Sequence, residues 1–129
     1  MMGRYKFLSS PGRAKGSGSA HTGFGHWWTE RITAVALLPL SVWFAASIIA
    51  HSGSDYQAFI NWLSSPIVAV LMVLLLIAVF WHMALGLQVV IEDYVHSSAK
   101  IWSLLIVRLV CFTMPVAGIL AVLSIIFGV

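Results

Sequence analysis

Three long apolar runs separated by short polar stretches set the pattern of this chain. They lie at about residues 32–50, 66–91 and 101–128, and each meets the length of about 20 helical residues that crosses a bilayer core. The pattern predicts an all-α integral membrane protein with three transmembrane helices. Residues 1–25 break it: they are rich in Gly and Ser and show no period outside a short patch at residues 5–8. They are expected to form a flexible basic arm, leaving residues 26–129 as the membrane domain.

Local features refine those boundaries. His26-Trp27-Trp28-Thr29-Glu30-Arg31 is amphipathic, its tryptophans favour a headgroup region, and Thr29 is expected to cap a helix starting near Glu30. Pro39 inside the first run predicts a kink without a break. Residues 51–65 carry Asp55 and no Lys or Arg, and are expected to be a loop on the outer side. Pro66 suits the first turn of the second helix, where its missing N–H costs nothing. Residues 92–100 link the second and third helices, with Ser97 or Ser98 expected as the cap. Arg108 lies a turn or two inside the third run, placed to snorkel or to meet an acid, and Pro115 is near its middle. Lys and Arg thus concentrate on the arm and on the second link, which puts the amino terminus inside and the carboxyl terminus outside.

Composition agrees with this reading and narrows it. With 60% hydrophobic and 9% charged residues in 129, the apolar surface is too large for one small soluble core. The formal charge of +3 comes largely from Arg4, Lys6, Arg13 and Lys15. Beside a membrane span, such a tail marks orientation and contacts acidic lipid, not nucleic acid. It does not resemble a secretory signal peptide, although an acid-free basic arm is also a feature of mitochondrial presequences. A bacterial inner membrane and, as the alternative, a mitochondrial inner membrane both stay open. Cys111 has no partner in the chain and is expected to pack. There is no internal repeat, CxxC pair, Gly-rich phosphate loop or nucleophile–histidine–acid pattern, which argues against a self-contained hydrolase or an iron–sulfur protein.

The stretch Trp81-His82-Met83-Ala84-Leu85-Gly86-Leu87-Gln88-Val89-Val90-Ile91-Glu92-Asp93-Tyr94-Val95-His96 carries the candidate chemistry. An ionisable group inside a membrane helix is costly, so His82 is a functional candidate, with a histidine satisfied by a neighbouring helix as the plain alternative. Gly86 is one turn further on the same face, and Asp93 falls within about 20° of it, a rise of roughly 16 Å away. Gly86 would let a flat macrocycle or another helix approach. A neutral imidazole is a suitable axial ligand for haem iron. His21, His26, His51 and His96 lie in the arm, a loop or a link, so a second axial histidine would have to come from another chain. Glu92 and Asp93 sit where a helix dipole disfavours acids. Either the start of the next helix or a polar ligand at the membrane edge offsets that. Tyr94 could donate to a quinone carbonyl or serve as an ordinary interfacial tyrosine. Trp81 and Trp43 are expected to pack in the core or against lipid.

His82, Gly86, Gln88-Val89 and Asp93-Tyr94-Val95-His96 together closely resemble the smaller membrane anchor of succinate dehydrogenase, respiratory complex II. His26-Trp27 with Glu30-Arg31-Ile32-Thr33-Ala34 is similar to the start of that family's first span. The resemblance covers the chain from about His26 onward. It implies a four-chain enzyme: a flavoprotein subunit, an iron–sulfur subunit, and two anchors that share a haem b and form the ubiquinone site. His82 would then be this chain's haem ligand, opposite a histidine of the second anchor, the cytochrome b subunit. Tyr94 would bond a quinone carbonyl and Asp93 would set pocket polarity and proton supply. Arg31 and His26 would lie near the haem propionates or the pocket, with a snorkelling lipid contact as the alternative for Arg31. The rivals are the anchor of a quinol:fumarate reductase and, in a different class, a haem-free membrane scaffold or assembly protein. A small transporter is disfavoured, because His82 and Arg108 are its only candidate mid-membrane charges.

Overall fold

The computed structural model describes residues 19–129, with side chains from residue 23 onward. The described residues form four helices joined by short turns: α1 (Ser19–His51), a short α2 (Tyr56–Leu63), α3 (Pro66–Tyr94) and α4 (Ala99–Phe127). Three of these, α1, α3 and α4, are long and apolar enough to cross a membrane. At 29 residues each, α3 and α4 extend about 43 Å, more than a bilayer core of about 30 Å, so tilt or protruding ends are required.

Two boundaries depart from the sequence expectation. The first helix begins at Ser19, not near Glu30, so residues 19–25, expected as arm, are helical. Phe24, Trp27 and Trp28 stand at i, i+3 and i+4 and stack with ring centroids 5.9–6.5 Å apart, contacts that offset the poor helix propensity of Gly23 and Gly25. Thr29 therefore caps nothing; it lies inside the helix and its hydroxyl donates to the Gly25 carbonyl at 2.7 Å. The second departure is α2, within a stretch expected to be a loop. Asp55 caps it by accepting from the Ala58 N–H at 2.8 Å. The remainder of the expected arm, residues 1–18, lies outside the described residues.

The proline positions agree with the expectation. Pro66 occupies the first turn of α3, and α1 and α4 continue through Pro39 and Pro115. The second link is short, because α3 runs on to Tyr94. At its far side the Ala99 N–H reaches the Ser97 hydroxyl at 3.3 Å, while the Lys100 ammonium donates to the Glu92 carbonyl at 3.3 Å. The latter satisfies a carbonyl that the end of α3 would leave open. At the carboxyl end Gly128 closes α4 in a left-handed conformation, with φ of 66°.

Helix α3 is central, packing against α4 on one side and α1 on the other. The buried positions are small or slender: Ala69, Leu75 and Ala78 on α3, Cys111, Pro115 and Val122 on α4. Small residues let helix axes approach where lipid supplies no hydrophobic drive between them. Gly118 shows how close they come, since a Cβ there would stand 3.0 Å from Leu76 Cδ1. At the opposite end from Tyr94, Trp62 of α2 contacts Trp43, His51 and Phe59, at centroid distances of 6.4, 4.6 and 5.3 Å. His51 is further tied by its Nδ1, 2.8 Å from the Ser47 carbonyl. Both Trp43 and His51 thus serve packing.

Candidate functional site

His82 lies midway along α3, half-buried on the face turned to α1. Its Nδ1 is 3.0 Å from the Thr33 hydroxyl oxygen, across 49 residues of sequence. Among the described residues this is the one side chain–side chain hydrogen bond joining two membrane-spanning helices. The other ring nitrogen, Nε2, has no hydrogen-bond partner among the described residues, and no buried side-chain nitrogen or oxygen is left unpaired. The half-buried ring therefore presents Nε2 at the surface of the chain. A polar contact between membrane helices contributes about 0.6–2 kcal/mol. That is a weak stability reason for placing an ionisable ring there.

One turn further, Gly86 leaves the neighbouring surface open, since a Cβ built on it meets nothing within 4 Å. Gly86 therefore serves no close approach between helices of this chain. Among the described residues nothing packs against this position. Among the described residues no three His, Cys, Asp or Glu side chains gather to hold a bare metal ion. A single neutral imidazole with one nitrogen open is chemically able to donate a lone pair to a group brought from outside the described residues.

The remaining candidates fall near one end of the bundle. Asp93 and Tyr94 close α3, both exposed, Tyr94 at 81%. Asp93 shares the His82 face, while Tyr94 is turned about 120° from it. Glu92 is engaged by the Gln88 side-chain amide at 2.8 Å. Of these two adjacent acids, Asp93 has no side-chain hydrogen bond among the described residues. On α1, His26 is seven residues before Thr33 and shares its face, toward α3. Arg31 lies about 160° away from Thr33, its guanidinium 5.2 Å over the Trp27 ring. The structure thus brings His82 and Thr33 into contact, aligns His26, Gly86 and Asp93 with them by face, and holds Arg31 on the other side of α1. Thr33 was missed in sequence, where nothing connects it to a residue on another helix.

A separate groove of about 420 Å³ runs between α3 and α4, walled by Trp81, Leu85, Phe112 and Pro115, with Gln88 and Arg108 as its polar members. His82 does not line it. Trp81 is 55% exposed there and packs in this groove, away from the imidazole.

Residues 10–117 match the family described as the succinate dehydrogenase/fumarate reductase transmembrane subunit. The chain belongs to this family. Among its relatives is the succinate dehydrogenase hydrophobic membrane anchor subunit of Rickettsia bellii, 37% identical over 109 residues, covering 84% of this chain and 86% of that one. The protein of the same name from Paracoccus denitrificans is 26% identical over 95 residues, 74% of each chain. The succinate dehydrogenase membrane anchor subunit of Reclinomonas americana is 26% identical over 93 residues, 69% of this chain and 78% of that one. The three-helix layout and the family now stand on independent grounds, and the resemblance carried by the Trp81–His96 stretch is upheld.

Proposed function

We propose that this chain is a membrane anchor of succinate:quinone oxidoreductase, docking the flavoprotein and iron–sulfur subunits at the bilayer together with a second, cytochrome b-type anchor. The family supports the anchor role; its description covers both succinate dehydrogenase and fumarate reductase, and the relatives named above are of the former kind. The amino terminus faces the compartment of the soluble subunits, an orientation that the distribution of Lys and Arg supports. The membrane is the bacterial inner membrane, the mitochondrial inner membrane being the alternative that the Reclinomonas relative keeps in view.

The observation that carries the site is His82, held through Nδ1 with Nε2 open beside the bare face of Gly86. His82 would be this chain's ligand to the iron of a haem b shared with the second anchor. When bound, such a haem supplies a one-electron site whose potential its ligands set. His26, on the Thr33 face, would meet the propionates, where a cation forms charge-assisted hydrogen bonds, while Arg31, held over Trp27 on the other side of α1, would face the pocket edge or lipid headgroups.

Ubiquinone would be reduced at the Tyr94 end. Its reduction takes two electrons and two protons, and negative charge develops on the carbonyl oxygens on the way. The Tyr94 phenol donates to one such oxygen and stabilises that charge. Asp93, without a side-chain hydrogen-bond partner among the described residues, takes up protons from water and keeps the pocket polar. Succinate itself is bound and oxidised elsewhere in the complex.

The test is a dithionite-reduced minus oxidised spectrum of the complex purified through a tag on this chain, for wild type and His82→Ala. A b-type α band lost or shifted in the variant is expected. An unchanged band in His82→Ala would remove His82 from the ligand set.

A further inference from the structure

Hydrogen-bond accounting at the α1–α3 contact deepens the site and rests on the haem reading above. The Thr33 hydroxyl oxygen is 2.9 Å from the Thr29 carbonyl, 3.0 Å from the Glu30 carbonyl and 3.0 Å from His82 Nδ1. A hydroxyl has one proton to donate and lone pairs to accept with, and a carbonyl only accepts. Were the proton given to His82, the hydroxyl oxygen would face two carbonyl oxygens at these distances with nothing between them, a repulsive arrangement. Given to its own helix, the proton satisfies one carbonyl, and the contact to His82 must then be supplied by the imidazole. A neutral imidazole carries one ring N–H. With that N–H on Nδ1, Nε2 keeps its lone pair and faces the open side of α3.

We propose that Thr33 is a positioning residue for His82: its hydroxyl, committed as donor to α1, accepts from Nδ1–H, selects that tautomer, fixes the ring plane and leaves Nε2 as the ligating nitrogen. The device is rigid because the acceptor is locked by its own helix turn and cannot rotate its proton toward the ring. An acceptor for the distal N–H also makes the imidazole a stronger donor through the other nitrogen. Stronger donation favours ferric iron and lowers the midpoint potential of a haem so held.

Thr33→Val removes the hydroxyl while keeping the β-branch and volume; Thr33→Ser keeps the hydroxyl. In the purified complex, haem transfer to an excess of a haem-scavenging apoprotein should be about 10–100-fold faster in Thr33→Val, the usual consequence of losing such a partner. The haem midpoint potential should rise in the same variant. Thr33→Ser should restore both values to near wild type. A Thr33→Val complex with wild-type haem transfer and potential, alongside His82→Ala lacking the band, would overturn the positioning role and leave the ligand assignment standing. Equal damage in the Val and Ser variants would overturn it too, since the hydroxyl would then be immaterial. An unchanged band in His82→Ala would overturn the underlying ligand assignment instead.

Discussion

Gly86 separates the chain by itself from the chain in its assembly. Among the described residues a Cβ at this position meets nothing within 4 Å. Replacing glycine by alanine inside a helix gains about 0.8–1.0 kcal/mol of helix propensity. From the described residues alone, Gly86→Ala is therefore stabilising. If a macrocycle or the second anchor covers this face, the added atoms overpack the contact and cost about 1–3 kcal/mol, enough to cancel or reverse the gain. The expected order in the purified complex is wild type, then Gly86→Ala, then Gly86→Leu, in both haem per complex and thermal midpoint in detergent. Gly118→Ala is the internal control, because its Cβ would stand 3.0 Å from Leu76 Cδ1 regardless of any partner. A Gly86→Leu complex with full haem and an unchanged or raised midpoint would refute a covered face, and with it the use of Gly86 for haem or helix approach.

Further outcomes follow from single contacts. Tyr94→Phe should lower ubiquinone reductase activity by several-fold or more while succinate oxidation with an artificial dye acceptor is kept; equal loss of both would count against Tyr94 at a quinone carbonyl. Gly118→Leu should force α3 and α4 apart at Leu76, costing about 1–3 kcal/mol and lowering the yield of assembled complex on native gels. Asp55→Ala should cost about 1 kcal/mol of local stability by removing the cap of α2, seen as faster amide exchange over residues 56–60 with haem content unaffected.

The sequence made the three spans legible because their apolar length exceeds anything a small soluble core requires. Pro66 marked the start of α3 through its missing N–H. The start of α1 was hidden by composition, since Gly23 and Gly25 argue against helix while Phe24, Trp27 and Trp28 at helical spacing argue for it. Aromatic stacking wins in the structure. Helix α2 also had its marks, Asp55 as a cap followed by Phe59, Ile60 and Leu63 on one side, but eight residues are too few for a period to stand out from a loop. Of the site, His82, Gly86 and Asp93 could be placed on one face because one helix carries all three. Thr33 could not, because its role exists only where two helices meet, 49 residues apart.

The same asymmetry tells where the chain is incomplete. The best apolar window of α1 has no residue buried within this chain, and those of α3 and α4 bury only a minority. Lipid can cover apolar side chains, so exposure alone demands nothing further. Lipid cannot satisfy the open nitrogen of an imidazole, and an unsatisfied polar group in hydrocarbon is costly. A polar contact worth about 0.6–2 kcal/mol on the Nδ1 side offsets only part of the cost of placing the ring there. Substituting His82 by Leu would remove that cost and should leave the three-helix chain folded in the membrane. Histidine stands at this position nonetheless, with Thr33 holding one nitrogen and Gly86 leaving the surface beside it open among the described residues. The haem proposed above would give all three residues a use.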